Sequence, residues 1–405
     1  MQANADKIAD RHRGGMPRGL ATSGPAILSY GFRPFFLGAG LFAVLSMTAW
    51  IGALTLGWGL GGQTYGPLAW HAHEMLFGYT TAALAGFMLT AIPNWTGRLP
   101  VSGIPLLALV GLWAVGRILM LQPDIFGLFP TVIVDGAFLP MLAAIAAREI
   151  IAGRNWKNLK ILAALCLLTC ANLGFHFQVL TGGELGSVHR AGVSVFVALI
   201  GLVGGRIVPS FTRNWLAKAK ASKLPRPFGR LDIAAMGLML ACLLAWTIMP
   251  ETPTVVALGL GAAALHTLRL IGWRGAATLE EPLLVVLHIA YAFVPLGLLC
   301  ITLSALGWIS APSALHVLTV GALGNMTLAV MTRSTLGHTG RKLSASPGTS
   351  VSYLALLVAA VIRPFAELLP DHYHELLGLS GACWILAFVL FSMEYGRMLL
   401  APRLA

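Results

Sequence analysis

The chain has 405 residues, of which 57% are hydrophobic and only 10% are charged. A soluble protein of this length has too little interior to hide so much apolar surface, so the composition indicates an integral membrane protein. The formal net charge of +12 comes from Lys and Arg in short stretches between apolar runs, where membrane topology explains them without nucleic acid as a partner.

Residues 1–31 form a polar, basic tail without the apolar core and cleavage site of a signal peptide. Residues 32–401 then hold twelve apolar runs, each long enough for a tilted helix across a hydrocarbon layer of about 30 Å. The sequence therefore predicts an all-α fold, with a cytoplasmic tail and a single twelve-helix membrane domain. The predicted spans are 32–58, 69–94, 103–121, 129–150, 159–180, 188–215, 231–249, 252–271, 282–306, 314–336, 351–369 and 376–400.

Basic residues alternate along the connections between these spans. The tail and the even-numbered connections carry Lys and Arg, including Arg98, Lys157, Lys223, Arg274 and Arg341. The odd-numbered connections carry almost none, and their charged residues are Asp124, Glu184, Glu251 and Asp371. Because positive residues stay on the cytoplasmic side, this alternation predicts that both termini are cytoplasmic.

Seven of the eleven histidines then fall in the outer third of the membrane or just outside it. They are His71, His73, His176, His189, His316, His372 and His374. Arg117, Arg190 and Arg363 are predicted at the same depth, with Glu74 and Asp135. Ionisable groups at membrane depth are costly unless they are paired, so this clustering predicts a functional site near the outer face.

Helices 2, 6 and 10 share a pattern that predicts an internal repeat. When His73, His189 and His316 are aligned, a threonine follows 23 residues later in each copy, at Thr96, Thr212 and Thr339. Three repeats of four helices, 32–150, 159–271 and 282–400, would produce this spacing. The distant architectural parallel is the large subunit of haem–copper oxidases, which also has twelve helices in three arcs.

Neutral imidazole is a good ligand for haem iron and copper, so the outer histidines predict a metal or haem site. The alternative is that each is an ordinary polar anchor at the membrane interface. His71 and His73 are about 200° apart around a helix, which favours two sites, or one ligand and one supporting residue. Arginines at this depth suit the carboxylates of haem propionates, although snorkelling to the interface is the other interpretation.

Several segments resemble the NnrS family, and the resemblance covers nearly the whole chain. These segments are YGFRPFF at 30–36, WHAHEMLFG at 70–78, PNWTGR at 93–98, GRIVPSFTRN at 205–214, and the stretch from His316 to Arg333. The resemblance implies a bacterial inner-membrane protein that contains haem and copper and is linked to denitrification and to resistance against nitric oxide.

The resemblance implies haem and copper, and the predicted depth of the histidines, not the family, supplies the ligands. On that basis His189 and His316 are the leading predicted haem ligands and His73 is the next. His71 with His176, or the pair His372 and His374, are the predicted copper ligands. Arg117, Arg190 and Arg363 are the predicted partners of the haem propionates. The expected haem is haem b, with copper as a second expected metal.

Two functions from different classes remain open on this sequence. The first is a haem and copper protein that binds or processes nitric oxide, with an oxidoreductase acting on nitric oxide as the favoured enzymatic form and quinol as a candidate electron donor. The second is a transporter of a small solute or metal, for which the outer histidines form the pathway.

Overall fold

The computed structural model describes residues 24–404, so most of the predicted tail, including His12, lies outside the described residues. Within residues 24–404 the chain is helical and contains no strand, and twelve helices are long and apolar enough to cross a membrane. The prediction of an all-α, multi-pass membrane protein with twelve spans is confirmed. The helices are α1 Phe32–Leu56, α2 Gly62–Thr96, α3 Gly103–Leu121, α4 Leu128–Ala152, α5 Trp156–Thr181, α6 Gly186–Lys218, α7 Arg230–Ile248, α8 Pro253–Ile271, α9 Pro282–Ala305, α10 Ala311–His338, α11 Pro347–Ala366 and α12 Pro370–Leu400.

Proline and glycine set many of the helix ends. Pro253, Pro282 and Pro347 each occupy the first turn of a helix, where the fixed φ of proline suits the helix and its missing N–H costs nothing. Gly57 and Gly97 end α1 and α2 in the left-handed conformation, with φ of 69° at both positions.

Two helices near the predicted site begin earlier than the sequence indicated. α2 starts at Gly62 rather than at residue 69, and Gly66 interrupts it with φ of 68°. The segment before residue 69 is polar and rich in glycine, so hydropathy gives no sign of it. α12 includes a short 3-10 turn, Pro370–His372, and a long helix from Tyr373, so the segment around Tyr373 is not an extended loop.

Helices that follow one another pack side by side, and the last helix packs against the first. Trp384 of α12 donates a hydrogen bond to the carbonyl of Ala43 in α1 at 3.1 Å. Arg33 at the start of α1 donates to the carbonyls of Leu399 and Ala401 at 2.8 and 2.6 Å. These bonds close the bundle, with α2 and α10 in its interior; 78% of the apolar window of α2 is buried, against 28% for α8.

Helices α2, α6 and α10 each contain a π-helical segment, which no other membrane helix in residues 24–404 has: Glu74–Thr80, Ile200–Gly204 and Val317–Gly324. The wider turn frees backbone carbonyls, and side chains bond them. Trp113 donates to Gly78, Arg269 to Gly201 and Asn325 to Gly321, at 2.9, 2.9 and 3.0 Å. The threefold repeat remains a prediction, and these three helices have this segment in common.

Candidate functional site

A large cavity lies where α2, α6 and α10 begin, at the end of the bundle opposite the loops that carry Arg98 and Arg341. We call it the histidine cavity, because His71, His189 and His316 all line it. Its volume is about 650 Å³, and helices α1, α2, α5, α6, α10, α11 and α12 contribute to its wall. Small-molecule and cofactor sites typically measure about 300–1,000 Å³, so this cavity has the size of such a site.

The three histidines leave nitrogen atoms available to a ligand. The Nδ1–H of His316 donates to the carbonyl of Pro312 at 2.7 Å, which leaves Nε2 as a free acceptor. His71 stacks flat on Trp50, with ring centroids 4.3 Å apart, and its Nδ1 is buried without a hydrogen-bond partner. Within the described residues, the ring of His189 makes no hydrogen bond. It packs edge to face with Phe175, with the ring centroids 6.5 Å apart.

One arginine supplies positive charge to this cavity. Arg363, in the last turn of α11, lines the wall, and its only ion pair within the described residues is with Glu367 at a long 3.5 Å. His71, His189 and Arg363 all lie close enough to His316 to interact with it electrostatically. The cavity therefore combines three imidazoles, one weakly paired guanidinium and the carboxylate of Glu367 around open space.

A second group of polar side chains lies close to the cavity but is packed solid. We call it the ionic cluster, and its members come from α2, α3, α4 and α5: His73, Glu74, Arg117, Asp135, Asn172 and His176. All six are buried, with at most 5% of any residue exposed. Arg117 bridges the two carboxylates, bonding Glu74 at 2.5 Å and also contacting Asp135.

Hydrogen bonds in the ionic cluster assign the ring nitrogens. His73 Nδ1 lies 2.7 Å from a Glu74 oxygen and its Nε2 lies 2.8 Å from Asn172 Oδ1, so both nitrogens face acceptors. His176 donates from Nε2 to Asp135 at 2.7 Å and accepts from the hydroxyl of Tyr65 at 2.6 Å. The Asn172 amide is oriented by its own bond to Asp135 at 3.1 Å.

The charge balance of this cluster favours a cation or an additional proton. Two carboxylates face one guanidinium, which leaves one negative charge in a buried setting where an unpaired charge is costly. Ligand atoms of His73, Asp135 and His176 all lie within 4.8 Å of one another, so this triad could hold a metal ion. An ion there would replace the hydrogen bonds that Asp135 now accepts from histidine.

A glycine in the π segment of α2 makes room for Arg117. A Cβ atom at Gly78 would lie 2.7 Å from the Arg117 guanidinium and 2.8 Å from the ring of Phe42. No side chain larger than hydrogen fits at that distance without displacing the arginine. The carbonyl of Gly78 is in turn bonded by Trp113 of α3, so the π segment and the ionic cluster are built together.

Comparison with known proteins agrees with the motifs. The family model described as NnrS protein matches residues 26–403. The chain belongs to the NnrS family. No curated protein matched it. The resemblance identified from the sequence is therefore confirmed over nearly the whole NnrS chain.

The arginines predicted to meet haem propionates occupy different settings in this NnrS chain. Arg363 faces the histidine cavity. Arg117 is bonded to Glu74 and Asp135 in the ionic cluster and does not line the histidine cavity. Arg190 does not line the cavity, and it donates to the carbonyl of Thr247 at 3.2 Å.

The structure also groups the predicted histidines differently from the ligand sets predicted on the sequence. His71 lies with His189 and His316, whereas His73 lies with His176. His372 and His374 are exposed and line neither site; His372 bonds Glu375 at 2.6 Å within the helical start of α12. Since the chain is helical there rather than extended, alternate residues do not converge.

Sequence reasoning missed the aromatic residues that support both sites. Trp50 stacks on His71, Tyr65 bonds His176, and Trp113 bonds the π segment of α2. Trp50 and Trp113 lie within apolar runs, where tryptophan is ordinary. Tyr65 lies in the polar stretch before the predicted second span, so no pattern in the sequence identified it as a site residue.

Proposed function

We propose that this chain is a haem-binding membrane protein that binds nitric oxide in the histidine cavity. The observation that carries the proposal is the open space of about 650 Å³ bordered by three histidines with unpaired nitrogens. A buried polar atom without a partner is costly, and one that borders open space is explained by a ligand. Family membership supports the same conclusion.

The residues of the cavity suit haem b. The bond from His316 to the Pro312 carbonyl fixes the tautomer that presents Nε2 to a metal, and His189 is the second histidine with free nitrogens. Arg363 suits a propionate, because a guanidinium binds a carboxylate through two parallel hydrogen bonds. When bound, a haem supplies an iron centre that takes nitric oxide at an open axial position.

Copper has its best support in the triad of His73, Asp135 and His176. Imidazole is a good copper ligand, and these three side chains come from three helices already held together by Arg117 and Asn172. The triad and the cavity are neighbours, since the ring of Phe175 packs against those of both His73 and His189. The ring centroids are 5.3 and 6.5 Å apart, respectively.

From the positive-inside pattern we infer that the cavity faces the outer side of a bacterial inner membrane and that both termini lie in the cytoplasm. Nitric oxide dissolves in lipid and reaches such a site directly. Turnover as a nitric oxide reductase would need an electron donor, for which quinol is the proposal. Binding or sequestration of nitric oxide in nitrosative stress needs no donor.

Optical spectra of purified protein test the haem. We expect the wild type to contain iron and to show reduced haem bands that shift when nitric oxide is added. The double variant His189→Ala/His316→Ala should lose these bands while it remains monodisperse in detergent. The matched control, His372→Ala/His374→Ala, removes two exposed histidines of α12 and should keep the full haem content.

Metal analysis of the same samples tests the division between the two sites. We expect His176→Ala to lose copper and keep haem iron, and the cavity variant to do the reverse. Loss of both metals in either folded variant would contradict two separate sites. Haem-free wild-type protein that takes up a solute would overturn the proposal and favour transport.

A further inference from the structure

A second cavity lies in the middle of the bundle, where α2, α6 and α10 pass one another. Its volume is about 90 Å³. All three π segments border it: Thr80 ends the first, Val203 belongs to the second and Leu323 to the third. We call it the midbundle cavity.

The wall of this cavity is almost entirely apolar. Sixteen residues line it, none is charged, and the only side-chain polar atoms are the hydroxyls of Thr80 and Thr327. Both hydroxyls already donate to backbone carbonyls, Thr80 to Met75 and Thr327 to Leu323, each at 2.8 Å. A buried water needs two to four polar partners, so the midbundle cavity is dry.

Size limits what such a space can hold. It is well below the roughly 300–1,000 Å³ of cofactor and drug-sized sites. Dry apolar cavities of this kind bind small uncharged molecules and xenon, because dispersion contacts are gained at no cost in lost hydrogen bonds.

The midbundle cavity adjoins the histidine cavity. Thr80 of α2 and Leu323 of α10 line both cavities. We propose that the midbundle cavity is a binding site for diatomic gas molecules and passes them to the histidine cavity. The delivery step rests on the proposed function, whereas the binding step does not.

Xenon tests the binding step without any haem. Crystals of the wild-type protein pressurised with xenon should show an anomalous peak bordered by Ala83, Val203 and Met326. Val203→Phe, which fills the space, should abolish the peak. The matched control is Val115→Phe on α3, at a position 46% exposed on the outer surface of the bundle, and it should leave the peak unchanged.

A milder variant keeps the test informative if Val203→Phe does not fold. A Cβ atom at Gly204 would lie 3.5–3.6 Å from its nearest neighbours, which is ordinary contact, so Gly204→Ala is accommodated. The added methyl group should reduce xenon occupancy. No xenon peak in the wild type, or a lipid acyl chain in this space, would overturn the proposal.

The delivery step is measured by flash photolysis of nitric oxide from the reduced haem. We expect Val203→Phe to slow association about tenfold, equivalent to about 1.4 kcal/mol in the barrier, and Val115→Phe to leave the rate unchanged. Equal rates in all three proteins, with xenon bound in the wild type, would leave a binding site and refute delivery. Absence of haem would refute the proposed function alone.

Discussion

His71 and His73 are two residues apart on α2, and their imidazoles have opposite surroundings. Both ring nitrogens of His73 face oxygen acceptors inside a packed ionic cluster. His71 lies against Trp50 at the wall of an open cavity, and its Nδ1 has no partner. The difference shows that burial alone does not separate a packed histidine from one with an unpaired nitrogen beside open space. In metal-free protein the ionic cluster should therefore contribute to stability, whereas the cavity histidines should contribute little.

The largest expected effect separates Arg117 of the ionic cluster from Arg363 of the histidine cavity. Arg117→Met leaves Glu74 and Asp135 buried without their countercharge, which should cost about 3–5 kcal/mol of unfolding free energy. Arg363→Met breaks only one long pair within α11 and should cost less than about 1 kcal/mol. Unfolding in mixed detergent micelles measures both. Equal losses would remove the distinction between the two regions.

The intermediate effect compares the two neighbouring histidines directly. His73→Phe takes the hydrogen-bond donor from Asn172 Oδ1 and one donor from Glu74, and should cost about 1–3 kcal/mol. His71→Phe keeps the stacking on Trp50 and removes no hydrogen bond made by Nδ1, so haem-free protein should change by about 0.5 kcal/mol or less. The same unfolding assay applies. A costly His71→Phe would show that the cavity histidines are structural.

The smallest effect tests whether the two regions depend on the loop that anchors α2. Asp124 accepts hydrogen bonds from the backbone N–H groups of Gln63 and Thr64 at 2.5 and 3.4 Å. Hydrogen bonds from the Thr64 hydroxyl and the Gln63 backbone N–H hold the pKa of Asp124 below its usual range. Stability from a lowered pKa is present above the unfolded pKa and is lost as the pH falls through the folded one.

Hydrogen exchange measures this anchor. Asp124→Asn should make exchange over residues 62–69 a few-fold faster, and acid should do the same to the wild type after correction for the intrinsic pH dependence. Exchange in Glu74–Thr80 should stay unchanged, because the ionic cluster holds that segment independently. Loosening of both segments together would show that the cluster depends on the anchor.

Much of this fold could be predicted from the sequence, because membrane helices are specified by hydropathy and length. The same pattern predicted that seven histidines lie near the outer face of the membrane. The angle between His71 and His73 also predicted two separate settings, since it depends only on helix geometry. What hydropathy cannot give is the direction that each helix faces. Arg117 was therefore interpreted as a propionate partner, although its helix turns it toward Glu74 and Asp135.

The π segments also could not be predicted from the sequence. A π turn differs from an α turn by one extra residue, and the residues of Glu74–Thr80 and Val317–Gly324 are ordinary for a membrane helix. Their position matters because Glu74–Thr80 and Val317–Gly324 border both cavities, and Ile200–Gly204 borders the midbundle cavity. Of the three histidines that the repeat aligned, only His189 and His316 line the histidine cavity.

Each π segment also changes the direction in which side chains point around its helix axis. One inserted residue rotates everything on one side of it by about 100° relative to the other side. The two halves of α2 and of α10 are therefore oriented independently, one toward the histidine end and the other toward the basic loops. Deleting a single residue from Glu74–Thr80 would restore a continuous α-helix and turn His71 away from the cavity, although no residue that lines it had been changed.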